Sequence, residues 1–153
     1  MVCLGNICRS PIAEGLLRHK AAAHHLNWTI DSAGTESSQV GKAPHPFSQQ
    51  ICKSNGIDIS AQRARQFTVA DFAHYDKIYA MAEDVLDEIK HIAGKHFDAE
   101  KAILFLDERY PGKKESVPDP YYGNEHGYKT VYAMIDETCD KIIEKYSPAA
   151  ANN

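Results

Sequence analysis

Long hydrophobic runs are missing from this chain of 153 residues. The longest, such as 102–106, fall far below the roughly 20 apolar residues that cross a bilayer as a helix, so no membrane span is expected. Basic blocks are missing as well. Lys and Arg total 17 against 21 Asp and Glu, a net charge of −4 with His neutral, and nucleic acid is not an expected partner. The chain reaches Cys3 without an apolar leader and cleavage site, which argues against secretion. Cysteine is scarce: Cys3, Cys8, Cys52 and Cys139. Four cysteines suffice for a secreted disulfide framework, but a chain of this length does not need one. A cytoplasmic setting, with at least one thiol kept for chemistry, is the expectation. Metal-ligand spacing is absent too. His24 and His25 are adjacent and His91 and His96 are five apart, which suits solvated helix surface, so no metal or other cofactor is expected. Internal repeats and low-complexity segments are also lacking.

What is present reads as one globular domain. Hydrophobic residues at 43% and charged residues at 25% are ordinary, and the length suits a single domain over residues 1–147 with 148–153 fraying beyond it. Strands are expected at 1–4, 28–32, 77–81 and 102–106, and helices at 11–24, 47–54 and 83–92. Tyr128, Val131, Ile135, Cys139, Ile142 and Tyr146 recur at steps of three and four, the stripe of a last, core-facing helix. Strands alternating with helices predict an α/β fold: a four-stranded parallel sheet with helices on both faces, and ligands beyond the strands' carboxyl ends. The polar stretch 107–124, with three prolines, is too long for a plain connection and points to function.

The first turn falls where such a fold binds ligands. Cys3, Leu4, Gly5, Asn6, Ile7, Cys8, Arg9 and Ser10 form a loop between the first strand and a Pro-started helix. A loop wrapped on a helix N-terminus aims backbone N–H groups and the positive dipole end at one point, which suits phosphate. Gly5 and Asn6 tolerate the positive φ that such a curl demands. Arg9 can fork two phosphate oxygens. The same positive field favours the thiolate, the reactive form of Cys3. Blander roles exist for each residue. A Cys and an Arg six apart occur often by chance, Ser10 can be a plain helix cap, and Cys8 a small buried hydrophobe. The alternative role for Ser10 is a hydroxyl hydrogen bond to the Cys3 thiolate.

Attack by Cys3 on phosphorus expels an alkoxide or phenolate, which needs a proton. Asp119, between Pro118 and Pro120, is held extended in the long polar stretch and is the best candidate. Tyr121 and Tyr122 can wall the entrance and stack on an aromatic leaving group, and Leu4 and Ile7 add apolar lining. Taken alone, Asp119 to Gly123 is more often a turn than an acid. Its pairing with the loop favours the acid.

These segments resemble the low-molecular-weight protein tyrosine phosphatases. The resemblance rests on residues 2–11, 31–35 (Asp31, Ser32, Ala33, Gly34, Thr35), 64–66 (Ala64, Arg65, Gln66) and 119–123, in family order. It implies a doubly wound fold and a two-step mechanism without metal or cofactor. Cys3 would form a cysteinyl-phosphate while Asp119 protonates the leaving oxygen, and Asp119 would then serve as base for water. Arg9 would bind phosphate together with the loop from Leu4 to Ser10. Asn6, Ser10 and Ser32 would brace the loop, and Cys8 would trap oxidised Cys3 as a disulfide. The implied partner is a phosphotyrosine-containing protein, and the implied state a monomer or weak homodimer.

The chain departs from the family pattern in places. Relatives carry further strand residues before Val2, so an upstream start is expected. Gln62 stands where many have His, Ala82 and Val85 where Asp and Asn are common, and Ser38 near a position that is often aromatic. Arsenate reduction on the same fold needs two more cysteines close together, whereas Cys52 and Cys139 are isolated. Phosphoarginine hydrolysis goes with Thr where this chain has Ile7, and the larger apolar residue favours an aryl phosphate. A non-catalytic phosphate-binding or redox module would not need Asp119.

Overall fold

The computed structural model describes residues 1–121 and 123–148. Four short parallel strands form the sheet: β1 (Val2–Cys3), β2 (Ala33–Gly34), β3 (Ile78–Ala80) and β4 (Ala102–Leu104), in the spatial order β2-β1-β3-β4. Among the described residues five α-helices surround them: α1 (Arg9–Ala23), α2 (Pro46–Lys53), α3 (Asp71–His74), α4 (Glu83–Ala93) and α5 (Glu125–Tyr146). From β1 the chain winds first to β2 on one side and then to β3 on the other, so the strand order reverses beside β1. The loop leaving β1 opens at that switch point, where sheets of this kind bind ligands.

Strand alternation divides the core in two. Cys3 and Tyr79 face a cluster built with Ile12, Leu16, Val131 and Ile135 of α1 and α5. Val2, Ile78 and Ala80 face a second cluster with Val85 and Ile89 of α4 and Phe72 of α3. Both sheet faces are covered, as the pattern predicted. The stripe on α5 is buried at Tyr128, Val131, Ile135, Cys139 and Ile142, and α5 packs along α1. Among the described residues no helix is long and apolar enough to cross a membrane.

Three expected boundaries move. The strand expected at 28–32 is instead the pair Ala33–Gly34, because the neighbouring ladder reaches back only to Met1. The Met1 ammonium donates to the Asp31 carbonyl at 3.0 Å, and Ala33 N–H donates to the Met1 carbonyl at 2.9 Å. The strand expected at 102–106 turns after Leu104 into a 3₁₀ turn, Phe105–Glu108. Helix α1 begins at Arg9, so Pro11 is its third residue rather than its first, and Ser10 is inside it rather than its cap. Ala82 has no side chain to cap α4; the Ser116 hydroxyl accepts from Glu83 N–H at 2.9 Å instead. The expected tail lies, from residue 149 onward, outside the described residues.

Candidate active site

A cleft of about 280 Å³ lies at the carboxyl end of β1. Cys3, Leu4, Gly5, Ile7, Cys8 and Arg9 form its floor and one wall; Asp119 and Tyr121 stand opposite. Asn6 and Ser10 do not line it. They sit behind the loop, 3% and 0% exposed, and hold its shape.

The loop is braced from within by a chain of hydrogen bonds. Asn6 adopts a left-handed φ of 60°, the bend that turns the loop back on itself. Its side-chain amide donates to Ser10 Oγ at 2.8 Å and to Ser32 Oγ at 2.9 Å, and its Oδ1 accepts from Arg65 N–H at 3.0 Å. Ser10 Oγ lies 3.0 Å from Cys3 Sγ. Because Ser10 accepts from Asn6, its own proton is left for the sulfur. Ser32 passes the chain on, donating to Glu14 Oε1 at 2.6 Å. Asn6, Ser10 and Ser32, the residues named as loop support, are joined in this one chain of hydrogen bonds.

Helix α1 carries no acidic residue in its first turn, so the positive end beneath the loop is uncompensated. Arg9 is 4% exposed, and its Nη1 donates to the Val117 carbonyl at 3.1 Å. Its Nη2 lies 3.5 Å from Asp119 Oδ2. Arg9 Nε is buried and has no hydrogen-bond partner among the described residues. Val117 anchors the acid loop to the sheet, donating from its N–H to the Met81 carbonyl at 2.7 Å. Beyond it, Asp119 Oδ1 accepts from Tyr121 N–H at 3.0 Å, which holds the carboxylate toward Arg9. Cys3 and Arg9 share one cleft with Asp119, more than a hundred residues away in the chain. Of the two tyrosines expected to wall the entrance, Tyr121 does line the cleft, 39% exposed; Tyr122 lies outside the described residues.

The four thiols are free and chemically distinct. Burial pushes Cys8 and Cys52 up to about 12, and burial raises Cys139 as well, so all three stay protonated at neutral pH. Cys8 Sγ rests 3.3 Å from the Tyr128 hydroxyl. Cys3 and Cys8 both line the cleft, Cys3 with the Ser10 hydroxyl beside its sulfur and Cys8 with that of Tyr128.

Several contributors were not found in the sequence. His45 donates its backbone N–H to the Ile7 carbonyl at 2.8 Å, and its ring lies between Tyr121 and Tyr128. Glu36 and Gln39 join Ser38 on the cleft wall. Gln62 donates to the Pro11 carbonyl at 3.1 Å, outside the bracing chain. Glu14 is a buried carboxyl whose proton affinity is raised by burial, only partly offset by Ser32 and Arg18. The signal for it was an acidic residue amid Ile12, Ala13, Leu16 and Leu17.

Glu14 gives a pH prediction. Its folded-state value exceeds the unfolded one, so between the two the native state holds the extra proton, and stability falls as pH rises through that window. Glu14→Gln keeps an acceptor for Ser32 and removes the buried charge. We expect its Tm to exceed that of the parent by a few degrees at pH 7, with the gap closing toward pH 4, measured by calorimetry at both pH values. Equal gaps at both would mean that Glu14 carries no such burden.

The family model described as "Low molecular weight phosphotyrosine protein phosphatase" matches residues 1–150. The Homo sapiens protein of that name is 38% identical over 146 residues, covering 94% of this chain and 92% of the relative. A protein tyrosine phosphatase structure from Entamoeba histolytica superposes with a TM-score of 0.87 at 33% identity, covering 97% and 95% of the two chains. An arginine phosphatase from Drosophila superposes with a TM-score of 0.86 at 32% identity, covering 95% of each chain. The chain therefore belongs to the low molecular weight phosphotyrosine protein phosphatase family.

Proposed function

We propose that this protein hydrolyses phosphotyrosine in protein substrates through a cysteinyl-phosphate. Cys3 Sγ attacks phosphorus, the ester P–O bond breaks, and Asp119 gives its proton to the departing phenolate. Asp119 then takes a proton from water as the water oxygen attacks phosphorus and the S–P bond breaks. Inorganic phosphate and the thiolate are the products. Arg9 and the amides of the loop hold the phosphate oxygens throughout, and the Ser10 proton steadies the sulfur as attacking and as leaving group.

The observation that carries this is the meeting of Cys3, Arg9 and Asp119 in one cleft at the N-terminus of α1. All three come from one chain, which supports a monomer or weak homodimer as the working state. The four free thiols fit a reducing, cytoplasmic setting. Ile7 and Tyr121 in the lining favour a flat aryl group over the guanidinium of phosphoarginine. Turnover of phosphotyrosyl and phosphoarginyl peptides in EDTA tests the proposal. We expect hydrolysis without metal and a preference for phosphotyrosine of about tenfold or more, the scale on which pocket shape discriminates. Preference for phosphoarginine would reassign the protein to arginine dephosphorylation.

A further inference from the structure

Three of the described residues lining the cleft are charged: Arg9, Asp119 and Glu36. Arg9 and Asp119 are engaged with phosphate and leaving group in the chemistry above. Glu36 has no part in it, yet it is firmly placed. Thr35 N–H donates to the Cys3 carbonyl at 3.0 Å and Glu36 N–H to the Leu4 carbonyl at 3.1 Å, so this segment runs in register with the catalytic loop. The Ser38 hydroxyl donates to Glu36 Oε1 at 2.6 Å and steers the carboxylate. Ser37 and Ser38 are small and exposed, and leave it open to solvent. Across the cleft stands Tyr121.

A phosphotyrosine ring reaching Cys3 fills the depth of a cleft this size, and its neighbours in the peptide then lie at the mouth. Given the phosphatase function proposed above, on which this rests, we infer that Glu36 selects substrates with a Lys or Arg beside the phosphotyrosine and disfavours those with Asp or Glu there. A carboxylate fixed at the rim attracts an adjacent cation and repels an adjacent anion. Both effects are those of exposed charges, modest singly and screened by salt. They act on the peptide rather than on the bond being broken.

The test is the ratio of kcat/KM for two phosphotyrosyl peptides that differ only in Lys or Glu beside the phosphotyrosine. The ratio cancels changes in the chemical step. The parent is expected to favour the Lys peptide about fivefold at low ionic strength, the product of one attraction and one repulsion between exposed charges. The ratio is expected to approach one in Glu36→Gln, to invert in Glu36→Lys, and to collapse for the parent in molar salt. A ratio that both variants leave unchanged would overturn the role of Glu36 while leaving the phosphatase function intact. Failure of the parent to turn over either peptide would overturn both.

Discussion

Cys3→Ser abolishes turnover of p-nitrophenyl phosphate and phosphotyrosyl peptides. The expected loss is at least about 10⁴-fold, equivalent to about 5 kcal/mol of activation free energy, with the fold and the affinity for inorganic phosphate retained. The substitution exchanges one atom, in a residue 2% exposed and packed beneath the loop, so the shape of the site changes little. The chemistry changes greatly. A serine hydroxyl gains no general base from its neighbour Ser10, whose oxygen accepts from Asn6 and whose proton is free to turn toward position 3. That arrangement stabilises an anion already formed and cannot create one. A phosphoserine, if formed, would also be a poor leaving group in the second step. Steady-state rates with both substrates, and calorimetry of phosphate binding, check this. Full activity in the serine variant would remove Cys3 as nucleophile, and the neighbouring Cys8 could not replace it, since burial pushes its thiol up to about 12.

The parts of the site that were legible in the sequence are those whose chemistry is local. Cys3 to Ser10 announces itself by residue types that a phosphate loop requires; of Gly5 and Asn6, both suited to a positive φ, Asn6 takes it at 60° and Gly5 does not. Asp119 was legible through its flanking prolines. The stripe on α5 was legible because a helix packing along α1 must repeat its apolar residues every three or four positions. What the sequence did not disclose depends on contacts between distant segments. Arg65 braces Asn6 through its backbone N–H, which no side chain encodes. Val117 supplies both the N–H that fixes the acid loop to Met81 and the carbonyl that holds Arg9. The strand misplaced at 28–32 has β-forming residues but no ladder partner beyond Met1; pairing, not propensity, sets where β2 starts. Glu36 is a surface glutamate by every local criterion and becomes part of the cleft only through its register with Leu4.

Asp119→Ala lowers kcat on phosphotyrosyl peptides by about 10²- to 10⁴-fold, the range typical of losing a general acid, without weakening phosphate binding. In the free protein Asp119 Oδ2 is 3.5 Å from Arg9 Nη2 and the carboxylate is 38% exposed, so the pair is loosely held and easily parted. A phosphate dianion on Arg9 competes for the same guanidinium and places negative charge beside Asp119. The alanine variant keeps Arg9 bound to the Val117 carbonyl and keeps the prolines that shape the loop, so binding survives while the proton is missing. The deficit must then depend on how badly the leaving group needs that proton. It should be largest for poor leaving groups such as tyrosine and should shrink for nitrophenols of rising acidity, which depart as phenolates unaided. A series of substituted phenyl phosphates, compared between parent and variant, measures this directly. A deficit that is the same for every leaving group would show that Asp119 positions the substrate rather than protonating it.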